Sequence, residues 1–270
     1  MTDMAVILAR GLGTRMRKKD DGSALSEAQA AVAETGVKAL VPIDRPFLDY
    51  VLHALADAGY RRICLVIGPE HDNLRAYYGR DLQYTRLEIS FAVQEEPLGT
   101  ANAVLAARDF AGDDAFLMIN SDNYYPVEAM AALRQLDGPG LAAFERDSML
   151  AASNIPAERI TRFAVVEVDG DDRLRRIVEK PAPEFVAALP APVGVSMNCW
   201  RFGPEIFAAC AAIEPSERGE LELTDAVQYA IDQMGQAFQV LPFRAAVLDL
   251  TSRADVAGVA ARLAGKPVRL

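Results

Sequence analysis

The 270-residue sequence is poor in cysteine, has an excess of acidic over basic residues and contains no long apolar run. Its three cysteines are an odd number and include no Cys-x-x-Cys pair, which argues against a disulfide framework or a zinc site and favours a reducing cytoplasm. No segment approaches the roughly 18 consecutive apolar residues that a membrane helix needs. The first ten residues have no basic leader and no small-residue cleavage site, so they do not predict a signal peptide.

The formal net charge of −10 makes nucleic acid an unexpected partner, because a phosphate backbone needs a basic surface. The cations nevertheless cluster in one stretch that begins at a glycine-rich turn: Arg10, Arg15, Arg17, Lys18 and Lys19. Such a run is typical of a solvated surface. Its position at the turn also suits a small phosphorylated ligand.

Apolar strands alternate with helical patterns through the first half of the chain. The predicted strands cover residues 4–9, 62–67, 88–93 and 115–119. The predicted helices cover residues 46–58, 71–78 and 100–107. This alternation predicts right-handed βαβ units, and therefore a three-layer α/β fold with a mostly parallel twisted sheet.

After about residue 145 the pattern becomes partly antiparallel. Predicted strands at 163–168 and 173–178 flank Asp169-Gly170, which is typical of a hairpin turn. A further strand at 193–202, two short strands and three helices follow, the helices at 204–213, 224–234 and 252–263. We therefore predict a single domain over residues 1–270 with two halves, 1–145 and a smaller, partly antiparallel 146–270. Within the first half, residues 18–36 resemble an exposed insertion, where Ser26 and Gln29 predict a capping box.

The segment Gly11-Leu12-Gly13-Thr14-Arg15 directly follows the first predicted strand. Glycines at this point let backbone N–H groups approach a phosphate chain, and Arg15 adds a forked donor. A dinucleotide-binding fingerprint would need a third glycine where Met16 stands, and the Gly-Lys-Ser/Thr of a P-loop is absent. The loop therefore predicts a phosphate cradle of neither usual type.

A series of motifs over nearly the whole chain resembles the NDP-sugar pyrophosphorylases, the sugar-1-phosphate nucleotidylyltransferases. In chain order the motifs are Leu8-Ala9-Arg10-Gly11-Leu12-Gly13-Thr14-Arg15-Met16, Lys38-Ala39-Leu40-Val41-Pro42-Ile43, Gln94-Glu95-Glu96-Pro97-Leu98-Gly99-Thr100-Ala101, Asn120-Ser121-Asp122-Asn123, Glu179-Lys180-Pro181, Asn198, Glu220-Leu221-Glu222-Leu223-Thr224-Asp225 and Leu248-Asp249. The resemblance implies a Rossmann-like nucleotidyltransferase fold, in which residues 1–145 bind nucleotide and residues 146–270 bind sugar. It also implies an enzyme that joins a nucleoside triphosphate to a sugar 1-phosphate and releases pyrophosphate.

The resemblance also assigns roles to individual residues. As catalytic residues it implies Arg15, Lys38 and Lys180, which would hold the nucleotide and sugar phosphates. As ligands of the cofactor Mg²⁺ it implies Asp122 and Asp249, since Mg²⁺ suits carboxylates together with phosphate oxygens and water. The nucleotide-binding residues would be Leu8, Ala9, Gly11, Gly13, Thr14, Gln94, Gly99 and Thr100. The sugar-binding residues would be Ala164, Glu179, Asn198 and Trp200.

Several points stay open at this level. The base-binding loop resembles those of uridylyl and thymidylyl members, which favours a pyrimidine nucleotide. Arg10 stands where the family usually has a small residue, and its guanidinium either contacts phosphate or turns away. Asp122 is also placed to cap a turn, and Trp200 to fill the core. The acceptor could be a non-sugar phosphate such as phosphocholine. Two alternative functions are a non-catalytic NDP-sugar-sensing subunit and an NAD-binding oxidoreductase. A homo-oligomer is also open.

Overall fold

Buried side chains alternate between two apolar clusters along the central strands. The fold comes from a computed structural model, which describes residues 1–18 and 25–270. In the first strand Ala5 and Ile7 belong to one cluster, while Met4 and Val6 belong to the other. The sheet is therefore buried on both faces, as a doubly covered parallel sheet requires.

The strands are β1 Met4–Leu8, β2 Arg62–Ile67, β3 Glu88–Val93, β4 Phe116–Asn120, β5 Asn123–Tyr124, β6 Gly140–Glu145, β7 Val165–Val168, β8 Leu174–Val178, β9 Gly194–Phe202, β10 Gln239–Phe243 and β11 Leu248–Asp249. The helices are α1 Thr14–Arg17, α2 Glu27–Thr35, α3 Phe47–Asp57, α4 Asp72–Ala76, α5 Thr100–Ala106, α6 Arg108–Ala111, α7 Val127–Gln135, α8 Arg146–Ala152, α9 Ala157–Ile160, α10 Pro183–Ala188, α11 Glu205–Ala212, α12 Leu223–Asp232 and α13 Asp255–Leu263. A 3-10 turn covers Lys38–Leu40, and a π-helical turn covers Tyr77–Asp81.

The main sheet has the strand order β10-β6-β9-β4-β1-β2-β3. Strands β1 to β4 pair in parallel, whereas β9 runs antiparallel between β4 and β6. Helices α3 and α7 pack into one apolar cluster, and α5, α11 and α12 pack into the other. This arrangement confirms the predicted three-layer α/β fold. Because β6 pairs with β9 and β10, both halves of the chain contribute strands to the same sheet.

Most predicted elements of the first half begin and end within two residues of their predicted bounds. The hairpin of β7 and β8 is also confirmed, and β7 adds the hairpin to the sheet beside β9. Strand β6 was not predicted, although Leu141 to Phe144 are buried. The helix predicted at 71–78 is interrupted, because α4 gives way to the π-helical turn at Tyr77.

The predicted insertion at 18–36 is partly a packed helix. Lys19 and the rest of residues 19–24 lie outside the described part of the chain. The predicted capping box is present, since Ser26 Oγ accepts from the Gln29 N–H and the Gln29 side chain accepts from the Ser26 N–H. The prediction of an exposed segment is wrong at its C-terminal end, because Ala33 is buried in the core. Within residues 1–18 and 25–270, no helix combines the length and apolar character needed to cross a membrane.

Candidate active site

The carboxyl ends of β1, β3 and β4 open onto one pocket of about 480 Å³. Parallel strands place ligands at this edge of a sheet, because the loops that leave the strands converge there. The pocket is lined by Leu8, Ala9, Arg10, Gly11, Leu12, Gly13, Thr14, Arg15, Gly36, Val37, Lys38, Ala39, Gln94, Pro97, Gly99, Thr100, Ala103, Asn120, Ser121, Asp122, Glu220 and Thr251. All eight predicted nucleotide-binding residues are among them, together with Arg15, Lys38 and Asp122.

The glycine-rich loop is shaped by close backbone packing against the end of the insertion. Gly13 has φ +61°, a conformation that side-chain-bearing residues rarely adopt, and a Cβ there would overlap the backbone of Gly36. The Arg17 side chain fixes the same junction, since its Nε and Nη2 donate to the Thr35 carbonyl at 3.0 and 2.7 Å. The insertion therefore ends directly against the loop and forms part of the pocket wall through Gly36.

We expect Gly13→Ala to lower the free energy of unfolding by about 1–3 kcal/mol, because the methyl group would force both a strained φ and a steric clash. Gly11→Ala is the matched control, since a Cβ at Gly11 has no atom within 4 Å and its φ is ordinary. Urea unfolding of the two variants measures the difference. Equal stability of both variants would contradict the packing of Gly13 against Gly36.

Lys38 and Asp122 meet at the floor of the pocket, although they are far apart in sequence. Lys38 Nζ donates to Asp122 Oδ2 at 2.8 Å, with both side chains about one-fifth exposed. Lys38 lies on the 3-10 turn that follows the insertion, and Asp122 lies two residues beyond β4. The pair places an ammonium group and a carboxylate at the strand edge, where both can face a bound phosphate chain.

Asp249 lies behind Asp122 and is almost fully buried. The antiparallel pairing of β11 with β5 puts Asp249 beside Asn123, whose Nδ2 donates to Asp249 Oδ1 at 3.2 Å. Burial and the charge on Asp122 raise the pKa of Asp249 to about 6, while Arg159, at 3.2 Å from Oδ2, opposes the rise. Two carboxylates thus lie close enough to repel each other, which is the electrostatic condition that a divalent cation relieves.

The opposite wall of the pocket is formed by the loop after β3. Gln94 is buried, and its Nε2 donates to the Gly99 carbonyl at 3.1 Å and to Asn102 Oδ1 at 2.8 Å. Gly99 has φ +121°, and a Cβ there would overlap the Leu221 backbone. The side chain of Gln94 therefore shapes the loop from within.

The predicted sugar-binding residues do not line this pocket. Glu179 and Lys180 are exposed in the loop after β8, and Lys180 adopts φ +44°. Ala164 is buried beside β9, where its carbonyl accepts from the Ser196 N–H at 2.8 Å. Asn198 is half-buried with φ +55°, and its Oδ1 accepts from Trp200 Nε1 at 3.4 Å.

Trp200 is a correction to the prediction, because it is a core residue. Its side chain is 0% exposed and stacks on Phe202 with ring centroids 5.5 Å apart. Phe238 packs edge-on against the same indole at 6.1 Å. Around Trp200, strand β9 pairs with β4 on one side and β6 on the other, and the indole belongs to one of the two apolar clusters, so Trp200 lies in the core and not in a sugar site.

The residues at the site that were not predicted include Arg159, Thr251 and Ser121. Arg159 pairs with Asp249 and with Asp255, the latter at 2.8 Å. Thr251 lines the pocket and donates to both carboxylate oxygens of Asp249 at 2.9 Å. Ser121 is buried in the pocket wall beside Asp122. Ser121 and Thr251 could have been indicated by their positions within two residues of the predicted ligands Asp122 and Asp249. Nothing in the sequence near Arg159 indicates its contact.

A sequence model described as nucleotidyl transferase matches residues 4–246. The chain belongs to the nucleotidyl transferase family. The matched region contains the glycine-rich loop, Lys38, the loop after β3 and Asp122, and ends before Asp249. The resemblance predicted from the motifs is therefore confirmed.

Curated relatives include sugar-phosphate enzymes from bacteria and archaea. The glucose-1-phosphate thymidylyltransferase of Streptomyces griseus is 36% identical over 230 residues, covering 84% of this chain and 57% of its own length. The UTP–glucose-1-phosphate uridylyltransferase AglF of Haloferax volcanii is 27% identical over 228 residues, covering 84% of this chain and 83% of its own length. The chain thus spans less than three fifths of the length of the Streptomyces relative.

Solved structures share the fold at low sequence identity. A UDP-glucose pyrophosphorylase complexed with UDP-glucose superimposes with a TM-score of 0.75 and 19% identity, covering 99% of this chain and 100% of that one. A UTP-bound UGPase from Acinetobacter baumannii gives 0.74 and 19%, covering 99% and 96%. The likeness confirms the Rossmann-like nucleotidyltransferase fold.

Proposed function

We propose that this chain is a sugar-1-phosphate nucleotidylyltransferase, which forms an NDP-sugar and pyrophosphate from a nucleoside triphosphate and a sugar 1-phosphate. The observation that carries the proposal is the convergence of Arg15, Lys38 and Asp122 on one pocket at the carboxyl edge of the parallel sheet. Family membership supports nucleotidyl transfer as the chemistry. In the proposed division of labour, residues 1–145 bind the nucleotide and residues 146–270 bind the sugar.

On the nucleotide side, the glycine-rich loop and Arg15 would hold the triphosphate, and the loop after β3 would hold the base. Arg15 is exposed at the pocket, so its five N–H donors are available to the β- and γ-phosphates and to departing pyrophosphate. We infer a pyrimidine base, because the motif around Gln94 resembles those of uridylyl and thymidylyl members. The thymidylyl and uridylyl names of the two relatives support the same choice.

The reaction brings two anions together, so the protein must position them and neutralise their charge. An oxygen of the sugar phosphate would attack the α-phosphorus and form the new P–O bond, while the bond to pyrophosphate breaks in line. Lys38 would leave its ion pair with Asp122 to contact the nucleotide phosphates at the reacting end. Lys180, whose loop exposes its ammonium group, would meet the incoming sugar phosphate. The names of the relatives suggest glucose 1-phosphate as the acceptor to test first.

We infer that Asp122 and Asp249 hold Mg²⁺. The ammonium group of Lys38, at 2.8 Å from Asp122, is a cation already attracted to this position. In the described residues no group of three or more His, Cys, Asp or Glu side chains could hold a metal, so the pair would share the ion with phosphate oxygens and water, as Mg²⁺ prefers. When bound, Mg²⁺ would neutralise phosphate charge as it develops. The buried, free Cys64, Cys199 and Cys210 fit a reducing compartment, and we propose the cytoplasm.

A panel assay tests the proposed function. Purified protein with Mg²⁺ is given each of UTP, dTTP, CTP, ATP and GTP with glucose 1-phosphate, other sugar 1-phosphates or phosphocholine, and pyrophosphate is measured. We expect release only when a pyrimidine triphosphate and a sugar 1-phosphate are both present. Release with phosphocholine alone would assign a different acceptor, and binding of an NDP-sugar without any turnover would identify a sensing subunit.

We expect Lys180→Ala to raise the KM for sugar 1-phosphate about 10- to 100-fold, which corresponds to the loss of one charge-assisted contact. The KM for the nucleotide should change little, because the proposed contact is with the incoming phosphate. Arg175→Ala is a suitable control, since Arg175 lies on β8 with its side chain 72% exposed. Steady-state kinetics with each substrate varied in turn would reject the role if both KM values rose equally.

A further inference from the structure

Arg10 directly precedes the glycine-rich segment, and its side chain contacts the start of the loop after β3. Its Nε and Nη2 donate to Glu70 Oε1 and Oε2, both at 3.3 Å, in a two-pronged ion pair. Its Nη1 donates to the backbone carbonyl of Gln94. The Arg10 side chain is only 8% exposed, whereas the side chain of Glu70 is 49% exposed. Glu70 thus orients the guanidinium group, and the remaining nitrogen, Nη1, donates to Gln94.

The partner carboxylate is itself held in place by the turn after β2. A Cβ at Gly68 would overlap the Glu70 carboxylate, so this glycine leaves the room that the carboxylate occupies. The Gly68 N–H donates to Nδ1 of the buried His71 at 3.2 Å, which fixes the turn on the other side of Glu70. Arg10 therefore pairs with a carboxylate that packs against this turn, although the Glu70 side chain is half exposed.

The contact links three strand ends around the base wall of the pocket. Arg10 follows β1, Glu70 follows β2 and Gln94 follows β3, while Arg10 and Gln94 both line the pocket. A backbone hydrogen bond already joins the ends of β2 and β3, since the Gln94 N–H donates to the Ile67 carbonyl at 2.9 Å. Arg10 adds a restraint at the Gln94 carbonyl, so the main-chain N–H and C=O of Gln94, which belong to two successive peptide groups, both have a partner.

A fixed main chain at Gln94 also restrains the loop that follows it. The Gln94 side chain donates to the Gly99 carbonyl and to Asn102, and so connects the end of β3 to the first turn of α5. Displacement of the Gln94 backbone would move this side chain, and with it the wall formed by Pro97 and Gly99. A shift of that wall changes which ring edges the pocket accepts, because discrimination between bases depends on a few well-placed polar groups.

We propose that Arg10, oriented by Glu70, is a positioning residue that holds the main chain of Gln94 and thereby sets the nucleobase selectivity of the pocket. The proposal rests on the proposed function, in which this pocket binds a nucleoside triphosphate. It assigns Arg10 to the base wall and not to the phosphate chain, although Arg10 belongs to the same cationic run as Arg15.

The test measures equilibrium binding of UTP, dTTP, ATP and GTP to the full-length wild type and to Arg10→Ala by calorimetry, without an acceptor. We expect Arg10→Ala to raise the Kd of the preferred nucleotide about tenfold and to reduce its preference over the other bases by a similar factor. Under turnover, the KM for the nucleotide should rise, while kcat and the KM for the acceptor should stay nearly unchanged. Arg10→Lys should restore part of the selectivity, because lysine supplies a charge without the two-pronged geometry.

Two further variants keep the test decisive. Glu70→Gln removes the charge of the partner while keeping its shape, and should lower selectivity in the same direction as Arg10→Ala even if the latter folds poorly. Arg62→Ala is the matched control. Arg62 Nη2 lies 3.1 Å from Asp3 Oδ1 in an exposed ion pair, and neither residue lines the pocket. Its binding profile should match the wild type.

The outcomes separate the inference from the function beneath it. A wild type that binds none of the four nucleotides would overturn the proposed function. A wild type that binds selectively, with Arg10→Ala and Glu70→Gln equally selective, would overturn only the role of Arg10. A uniform loss of affinity for all four nucleotides in Arg10→Ala would also overturn it, because that result would place the guanidinium group on the phosphates.

Discussion

Asp122→Asn should lower kcat by about 100-fold or more, the scale on which removal of one electrostatic group reduces turnover. The amide keeps the shape of the side chain but is a much poorer ligand for Mg²⁺ and loses the charge that pairs with Lys38. The fold should survive, because Asp122 is only partly buried and its side chain contacts Lys38, while its backbone bond to Leu250 does not depend on the carboxylate. Stopped-time pyrophosphate assays at saturating substrates measure the loss.

Asp109→Asn is the matched control, because it removes the same charge from an exposed residue on α6 that does not line the pocket. It should retain wild-type turnover. A second readout is independent of turnover: Mg²⁺ with nucleotide should raise the melting temperature of the wild type more than that of Asp122→Asn. An Asp122→Asn protein that melts early and without cooperativity would instead identify Asp122 as a structural cap.

Trp200→Ala should lower the free energy of unfolding by about 3–5 kcal/mol, because it opens a large cavity among tightly packed aromatic rings. The indole stacks on Phe202, meets Phe238 edge-on and is fully buried. Trp200→Phe should cost clearly less, since a ring remains between these partners. Urea denaturation followed by far-UV circular dichroism gives both values, because the two variants lack the chain's only tryptophan and therefore its fluorescence.

The same substitution separates the two interpretations of Trp200. A core residue should leave the preference among sugar 1-phosphates unchanged wherever the variant remains folded. A loss of less than about 1 kcal/mol, joined to a wider range of acceptors, is the pattern expected of a pocket residue and would contradict the buried position.

The sequence was most informative where one strand or one loop determined the outcome. Strands β1, β2 and β4 are almost entirely apolar, and such runs identify buried parallel strands without knowledge of their partners. The family resemblance implied that the glycine-rich loop, Lys38 and Asp122 act at one site, and Asp122 was also expected at the carboxyl end of a strand, where α/β sheets place ligands. The structure brings all three to the same pocket.

Features that depend on the path of the chain were missed. Trp200 was assigned to a sugar site because the sequence of β9 does not reveal that the strand lies between β4 and β6. The ion pairs of Arg10 with Glu70 and of Arg159 with Asp249 join segments that are remote in sequence. Strand β6 is a short apolar segment next to Asp137-Gly138-Pro139, a run that by itself indicates only a turn.

The most direct test of the proposed function follows the oxygen atoms of the acceptor. Glucose 1-phosphate carrying ¹⁸O at every non-ester phosphate oxygen is incubated with the protein, UTP or dTTP, and Mg²⁺, and both products are analysed by mass spectrometry. Attack of the sugar phosphate on the α-phosphorus predicts that the NDP-sugar retains every label and that pyrophosphate contains none. Label in pyrophosphate, or pyrophosphate formed without an NDP-sugar, would contradict nucleotidyl transfer to a sugar phosphate.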